Sequence, residues 1–125
     1  MNDAVDPRIE LAKALRELAD GSTEVDLRNA LSRSYYSIFH AANVLLGKVS
    51  HSDIAKRLGS VDSELEARVE RLQQLRSQAD YDPSFVEREF KGNLENFRLD
   101  VRRQVDEGLS VFTRILREIE RKAKS

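Results

Sequence analysis

Residues 31–46 run LSRSYYSIFHAANVLL, and these sixteen positions carry a single formal charge, Arg33. At the chain's average of 34% charged residues, about five would be expected. Wound at 3.6 residues per turn, Leu27, Leu31, Ser34, Tyr35, Ile38, Ala42, Leu45 and Leu46 fall on one arc, an evident core face. The opposite arc holds Asn29, Arg33, Tyr36, His40 and Asn43. A water-facing arc normally carries Lys and Glu, whereas this one carries aromatics, amides, one Arg and one His. Both sides of the helix are therefore expected to be covered, one by the rest of the domain and the other by a second surface. A symmetric homodimer is the commonest source of such a surface.

Outward from this helix the periodicity is helical nearly throughout, and strand-like alternation is absent. A first helix is signalled by Asp6-Pro7, a cap followed by Pro at the first helical position. It carries Ile9, Leu11, Ala12, Leu15, Leu18 and Ala19 to a stop at Gly21. The second opens near Ser22-Thr23, with Glu24 and Asp26 in its first turn, and is closed by Gly47. Residues 48–52 read as a loop, and 53–58 as one or two helical turns before Gly59. A third helix is expected from Ser60 or Asp62, carrying Leu65, Val69, Leu72, Leu75 and Ala79. Asp82-Pro83 launches the last segment, where Phe90, Leu94, Phe97, Val101, Val105, Phe112, Leu116 and Ile119 form an apolar stripe. That stripe fits one long helix, or two joined near Gly92 or Gly108. The predicted fold is all-α, an antiparallel bundle of four to five helices.

Composition bounds the chemistry. A chain of 125 residues suits one compact domain, 1–125, and 40% hydrophobic residues with five Phe and three Tyr can build a modest core. No apolar run approaches the length of a membrane span, and the acidic start lacks the features of a signal peptide, so no membrane partner and a cytoplasmic location are expected. The absence of Cys excludes disulfides and thiolate metal sites, and two His do not make an imidazole zinc site. Asp80 and Asp82 have no further acid cluster beside them, so no metal is assigned. Asp82 has a sufficient role as a cap before Pro83, and Asp80 can pair with Arg76 one turn earlier. Tyr81 is expected to pack its ring into the bundle, and His51 to sit in a solvent-exposed loop. A net charge of −1 gives no global pull toward nucleic acid.

Arg33 and His40 are seven residues apart, so they lie about 20° apart around the helix and about 10 Å apart along it. A guanidinium reaching along the helix could act with the imidazole on one phosphate, with hydroxyls from Tyr36 and Ser37 as further donors. Two copies related by a two-fold axis would line one cleft with two Arg and two His. Those groups suit RNA cleavage without a metal or other cofactor. Imidazole titrates near neutrality and can take the 2′-hydroxyl proton or give one to the departing 5′-oxygen, while Arg stabilises the charged transition state. The same pair also suits plain hydrogen bonding across an interface.

Residues 28–42, RNALSRSYYSIFHAA, read with residues 75–82, LRSQADYD, resemble the HEPN domain family. Small prokaryotic members often have a helix of the form R-x-A-x-S-R-x-Y-Y-x-x-F-H-A-A and a later L-R-x-x-A-D-Y. The two anchors cover about a fifth of the chain in the matching order. The resemblance implies a small dimeric helical bundle and a frequent partner, a minimal nucleotidyltransferase acting as antitoxin. Many members are metal-independent endoribonucleases whose Arg-x4–6-His motif lies in the dimer cleft. On that pattern Arg33 and His40 would be catalytic, with Tyr36, Ser37 and Asn43 as substrate contacts. Other members are catalytically silent modules that bind a nucleotidyltransferase or a nucleotide, and that alternative would use the same face. Ala42 stands where the best-described toxins of this kind have a Tyr, and His51-Ser52-Asp53 lacks the Gly of the usual His-x-Gly loop.

Overall fold

In the computed structural model, residues 7–21 and 23–124 are described, and they form six α-helices with no strand among them. These are α1 (Pro7–Ala19), α2 (Glu24–Leu46), α3 (Ile54–Val61), α4 (Leu65–Tyr81), α5 (Phe85–Phe90) and α6 (Leu94–Lys124). The expected count of four to five is thus exceeded, because two of the six, α3 and α5, are short. Asp6 and Ser22, expected at helix starts, lie outside the described residues. No helix is long and apolar enough to cross a membrane.

α2 starts as its sequence suggests: the Thr23 hydroxyl accepts the Asp26 backbone N–H at 3.1 Å, satisfying one of the free donors of the first turn. Its other end is less local. Gly47, at φ 80°, ends the helix, and α2 has no base in its last turn. The carbonyls of Leu45 and Leu46 instead receive Lys122 Nζ from α6 and Arg57 Nη2 from α3, each at 3.2 Å. Cations at the negative end of the helix are stabilising, and here two neighbouring elements supply them.

α4 begins at Leu65 rather than at Ser60 or Asp62, because the Asp62 carboxylate turns back to accept the Glu64 N–H at 3.0 Å. α3 correspondingly runs on through Gly59 to Val61. The Asp82 carboxylate accepts the Ser84 N–H at 3.0 Å and Arg88 Nη2 at 2.7 Å. The Arg88 bond holds this carboxyl below its usual range. The helix that follows is the short α5. Lys91 and Gly92 both adopt left-handed backbone, φ 53° and 71°, and stop it; Asn93 Oδ1 then accepts the Asn96 N–H to start α6. Of the two joints considered for this segment, Gly92 is the break. Gly108 lies within α6, a continuous helix of 31 residues.

α2 is the central element, packing most extensively on α6 and then on α4. It lines both apolar clusters. Leu27, Ala30 and Leu31 meet Leu15, Phe85, Phe97 and Val105. Tyr35, Ile38 and Leu45 meet Ile54, Leu58, Val69, Leu72 and Ile115. Between the clusters α2 and α6 come close: a Cβ on Gly108 would collide with the buried Ser34 hydroxyl. The core face read from the sequence is buried throughout except at Leu46, which is half-buried.

Candidate functional site

The outer side of α2 carries Asn29, Arg33 and His40, all exposed, with Tyr36, Ser37 and Asn43 half-buried. Val25 and Val44 lie on the same side with 65% and 71% of their surfaces open. Among the described residues, the Arg33 guanidinium makes no hydrogen bond or ion pair, and the His40 ring has only aromatic neighbours. Tyr36 and Phe39 sit 6.3 and 5.8 Å from that ring, centroid to centroid. Guanidinium and imidazole therefore share one face with nothing from their own chain neutralising them.

The three residues expected to assist are more committed. Ser37 Oγ donates to the Arg33 carbonyl one turn back, at 2.8 Å. Asn43 is a staple: its amide donates to the Phe39 carbonyl at 2.9 Å and accepts the Val49 N–H at 2.7 Å, tying the loop after α2 to the helix. The Tyr36 ring lies on a guanidinium described next.

His51 is not the freely solvated loop residue expected. Its ring stacks on Phe39 with centroids 4.0 Å apart, and its Nδ1 lies 2.7 Å from the Tyr35 hydroxyl. Gln73 of α4 also donates to its backbone carbonyl at 2.8 Å. Burial pushes the Tyr35 hydroxyl up to about 12, so it is protonated at neutral pH and is the natural donor to Nδ1. The His51 imidazole is pushed below 6.5, first by burial and then by the nearby Arg76 and His40. With Tyr35 as the donor, the neutral ring of His51 carries its proton on Nε2 and its Nδ1 lone pair is engaged. That state suits a hydrogen-bond donor better than an acid or a base.

Beneath these rings lies Arg76, only 8% exposed. Its guanidinium carbon is 5.1 Å from the centre of the Tyr35 ring, 5.4 Å from Tyr36 and 6.0 Å from Tyr81. Cation–π attraction replaces part of the hydration lost on burial. Asp80 on the same helix approaches to 3.7 Å, as its spacing suggested, and also accepts the Ser32 hydroxyl at 3.3 Å. Arg76 Nε is buried with no partner. Tyr81, expected inside the bundle, is 74% exposed, because α4 ends there and its ring leans on the guanidinium instead of entering either core cluster.

Two arginines, Arg28 and Arg76, hold more of the structure than their sequence positions suggested. Arg28 reaches from α2 to the end of α4 and donates to the carbonyls of Ala79 and Asp82 at 2.9 Å, with Gln78 and Pro83 at 3.4 and 3.3 Å and Glu24 on its Nε. It is the cation for a helix end with no base in its own last turn. Nothing in the local sequence announces this contact across 50 residues. Arg76 did leave a signal: Val69, Leu72, Arg76 and Ala79 follow 3-4-3 spacing, which puts a cation on the buried stripe. Among the described residues no cluster of three or more His, Asp or Glu could hold a metal. Compared with protein-family models, curated proteins and solved structures, the chain matches none.

Proposed function

We propose that this chain is a HEPN-type homodimer in which the outer sides of two α2 helices form a cleft that cleaves RNA without a metal, and that it is the toxin of a toxin–antitoxin pair with a nucleotidyltransferase as antitoxin. The observation that carries this reading is the Arg33 guanidinium, unpaired among the described residues, on the same helix face as an exposed His40, with exposed Val25 and Val44 toward the two ends of that face. Exposed valines on this face suit an interface, and the cation and the imidazole suit a phosphate.

In the cleft, one His40 takes the proton of the 2′-hydroxyl as its oxygen bonds to the adjacent phosphorus. The 5′-oxygen leaves with a proton from the partner's His40, and a 2′,3′-cyclic phosphate remains. Arg33 offsets the charge gathering on the non-bridging oxygens. His51 is left out of the proton transfers, consistent with its engaged Nδ1. The second reading, a silent module binding a nucleotidyltransferase or a nucleotide through the same face, draws on the engaged side chains of Ser37 and Asn43, which leave fewer groups to orient a substrate.

Purified protein should cut single-stranded RNA in EDTA and leave cyclic phosphate ends. His40→Ala should lower the rate by about 10²–10⁴ and Arg33→Ala by about 10²–10³, with the dimer intact. Expression should arrest growth, and a co-expressed partner nucleotidyltransferase should relieve the arrest. RNA left whole by the wild-type dimer would decide for the silent module.

A further inference from the structure

Tyr81 ends α4 with 74% of its surface exposed, and its hydroxyl makes no hydrogen bond among the described residues. A large ring left in water at a helix end loses the burial that usually repays an aromatic residue. This ring is nevertheless placed: it lies 6.0 Å from the Arg76 guanidinium, the same group that carries Tyr36 at 5.4 Å. Arg76 is itself buried and close to Asp80, so it cannot swing outward without breaking the seam between α2 and α4. Tyr36 in turn neighbours His40, with centroids 6.3 Å apart and planes tilted by 31°. The molecule thus has a chain of π surfaces running from the exposed imidazole through Tyr36 and over a fixed cation to an open Tyr ring.

We propose that Tyr81 is a base-stacking residue for single-stranded RNA, extending the substrate track of the Arg33–His40 face, with Arg76 as the residue that positions its ring. The inference rests on the ribonuclease reading and adds to it a place where a nucleotide further along the bound strand is held. Three features favour RNA over a protein segment. The free charge on the adjoining face is cationic, Arg33, and attracts phosphate. The Asp80 carboxylate is occupied by Arg76 and Ser32, so it does not repel the strand as a free acid would. An open aromatic ring stacks on any unpaired base, whereas a base within a duplex offers no free face.

The chain has no Trp, so Tyr81→Trp places a single indole at the proposed contact. Short 2′-O-methyl oligonucleotides, which cannot form the cyclic phosphate, should quench its fluorescence to saturation, and the same sequence as a duplex should not. Tyr81→Ala should weaken binding of the single strand about tenfold, the loss of one stacked base, and Tyr81→Phe should stay within about twofold of wild type. Raised KM with little change in kcat should accompany Tyr81→Ala. If the wild type cuts RNA while the indole is unquenched and Tyr81→Ala binds as tightly as wild type, the stacking role is overturned and the ribonuclease reading stands. If Tyr81→Ala leaves RNA affinity unchanged but weakens self-association or nucleotidyltransferase binding, Tyr81 belongs to a protein contact and the role is equally overturned. Absence of RNA binding by every variant, wild type included, would overturn both.

Discussion

The two sides of α2 use the same residue types for opposite ends. On the side toward α4, Arg28 is held by four carbonyls and a carboxylate, and Tyr35 is held by His51. On the outer side, Arg33 and His40 hold nothing of their own chain. An Arg–His–Tyr set is structural where its donors meet acceptors within the fold, and available for chemistry where they do not. Geometry separates the two, and residue type alone does not.

The widest gap between the sides is expected in stability. Arg28→Ala leaves several carbonyls at the end of α4 without their cation and should cost about 3 kcal/mol in urea unfolding, whereas Arg33→Ala should fall within about 0.5 kcal/mol of wild type. Equal losses at the two sites would dissolve the comparison.

The next test concerns how closely the inner side approaches α6. Gly108→Ala drives a methyl group into the Ser34 hydroxyl and should destabilise by about 1–3 kcal/mol. With Ser34→Ala in place the same change should become neutral, or stabilise by up to about 1 kcal/mol through helix propensity. Strict additivity of the two substitutions would mean that the two helices do not meet there.

Smaller effects attach to the loop histidine. Tyr35→Phe removes the bond to His51 and should cost about 1 kcal/mol. The folded state depresses the His51 imidazole below 6.5, so the unfolded chain binds that proton more readily. The associated stability is fully present above pH 6.5 and is lost as pH falls through the lower folded value. His51→Gln should therefore flatten the fall in melting temperature between pH 7 and pH 5 relative to wild type. An unchanged slope would remove His51 from the linkage.

Much of the fold was legible in the sequence because the signals are local. The spacing of Leu27, Leu31, Tyr35, Ile38 and Leu45 gave the buried side of α2, and Thr23 and Gly47 bound that helix as capping residues do. The short α5 was legible only in part: Gly92 offered a break, but the stop also needs left-handed backbone at Lys91, a type that rarely adopts that conformation. The candidate site divides the same way. That Arg33 and His40 share a face follows from a seven-residue interval. That Asn43 is spent on Val49, that His51 is stacked and neutral, and that Tyr81 stands open on Arg76 all depend on contacts made between elements, which no local pattern encodes.

The central claim is that the outer side of α2 meets a second copy of itself, and the solution mass of the protein tests it most directly. Light scattering at micromolar concentration should return twice the 14.3 kDa of the chain, and Val44→Glu, which sets a charge on the exposed valine at one end of the proposed contact, should return a folded monomer. A wild-type monomer, or a dimer that Val44→Glu leaves intact, would contradict the account.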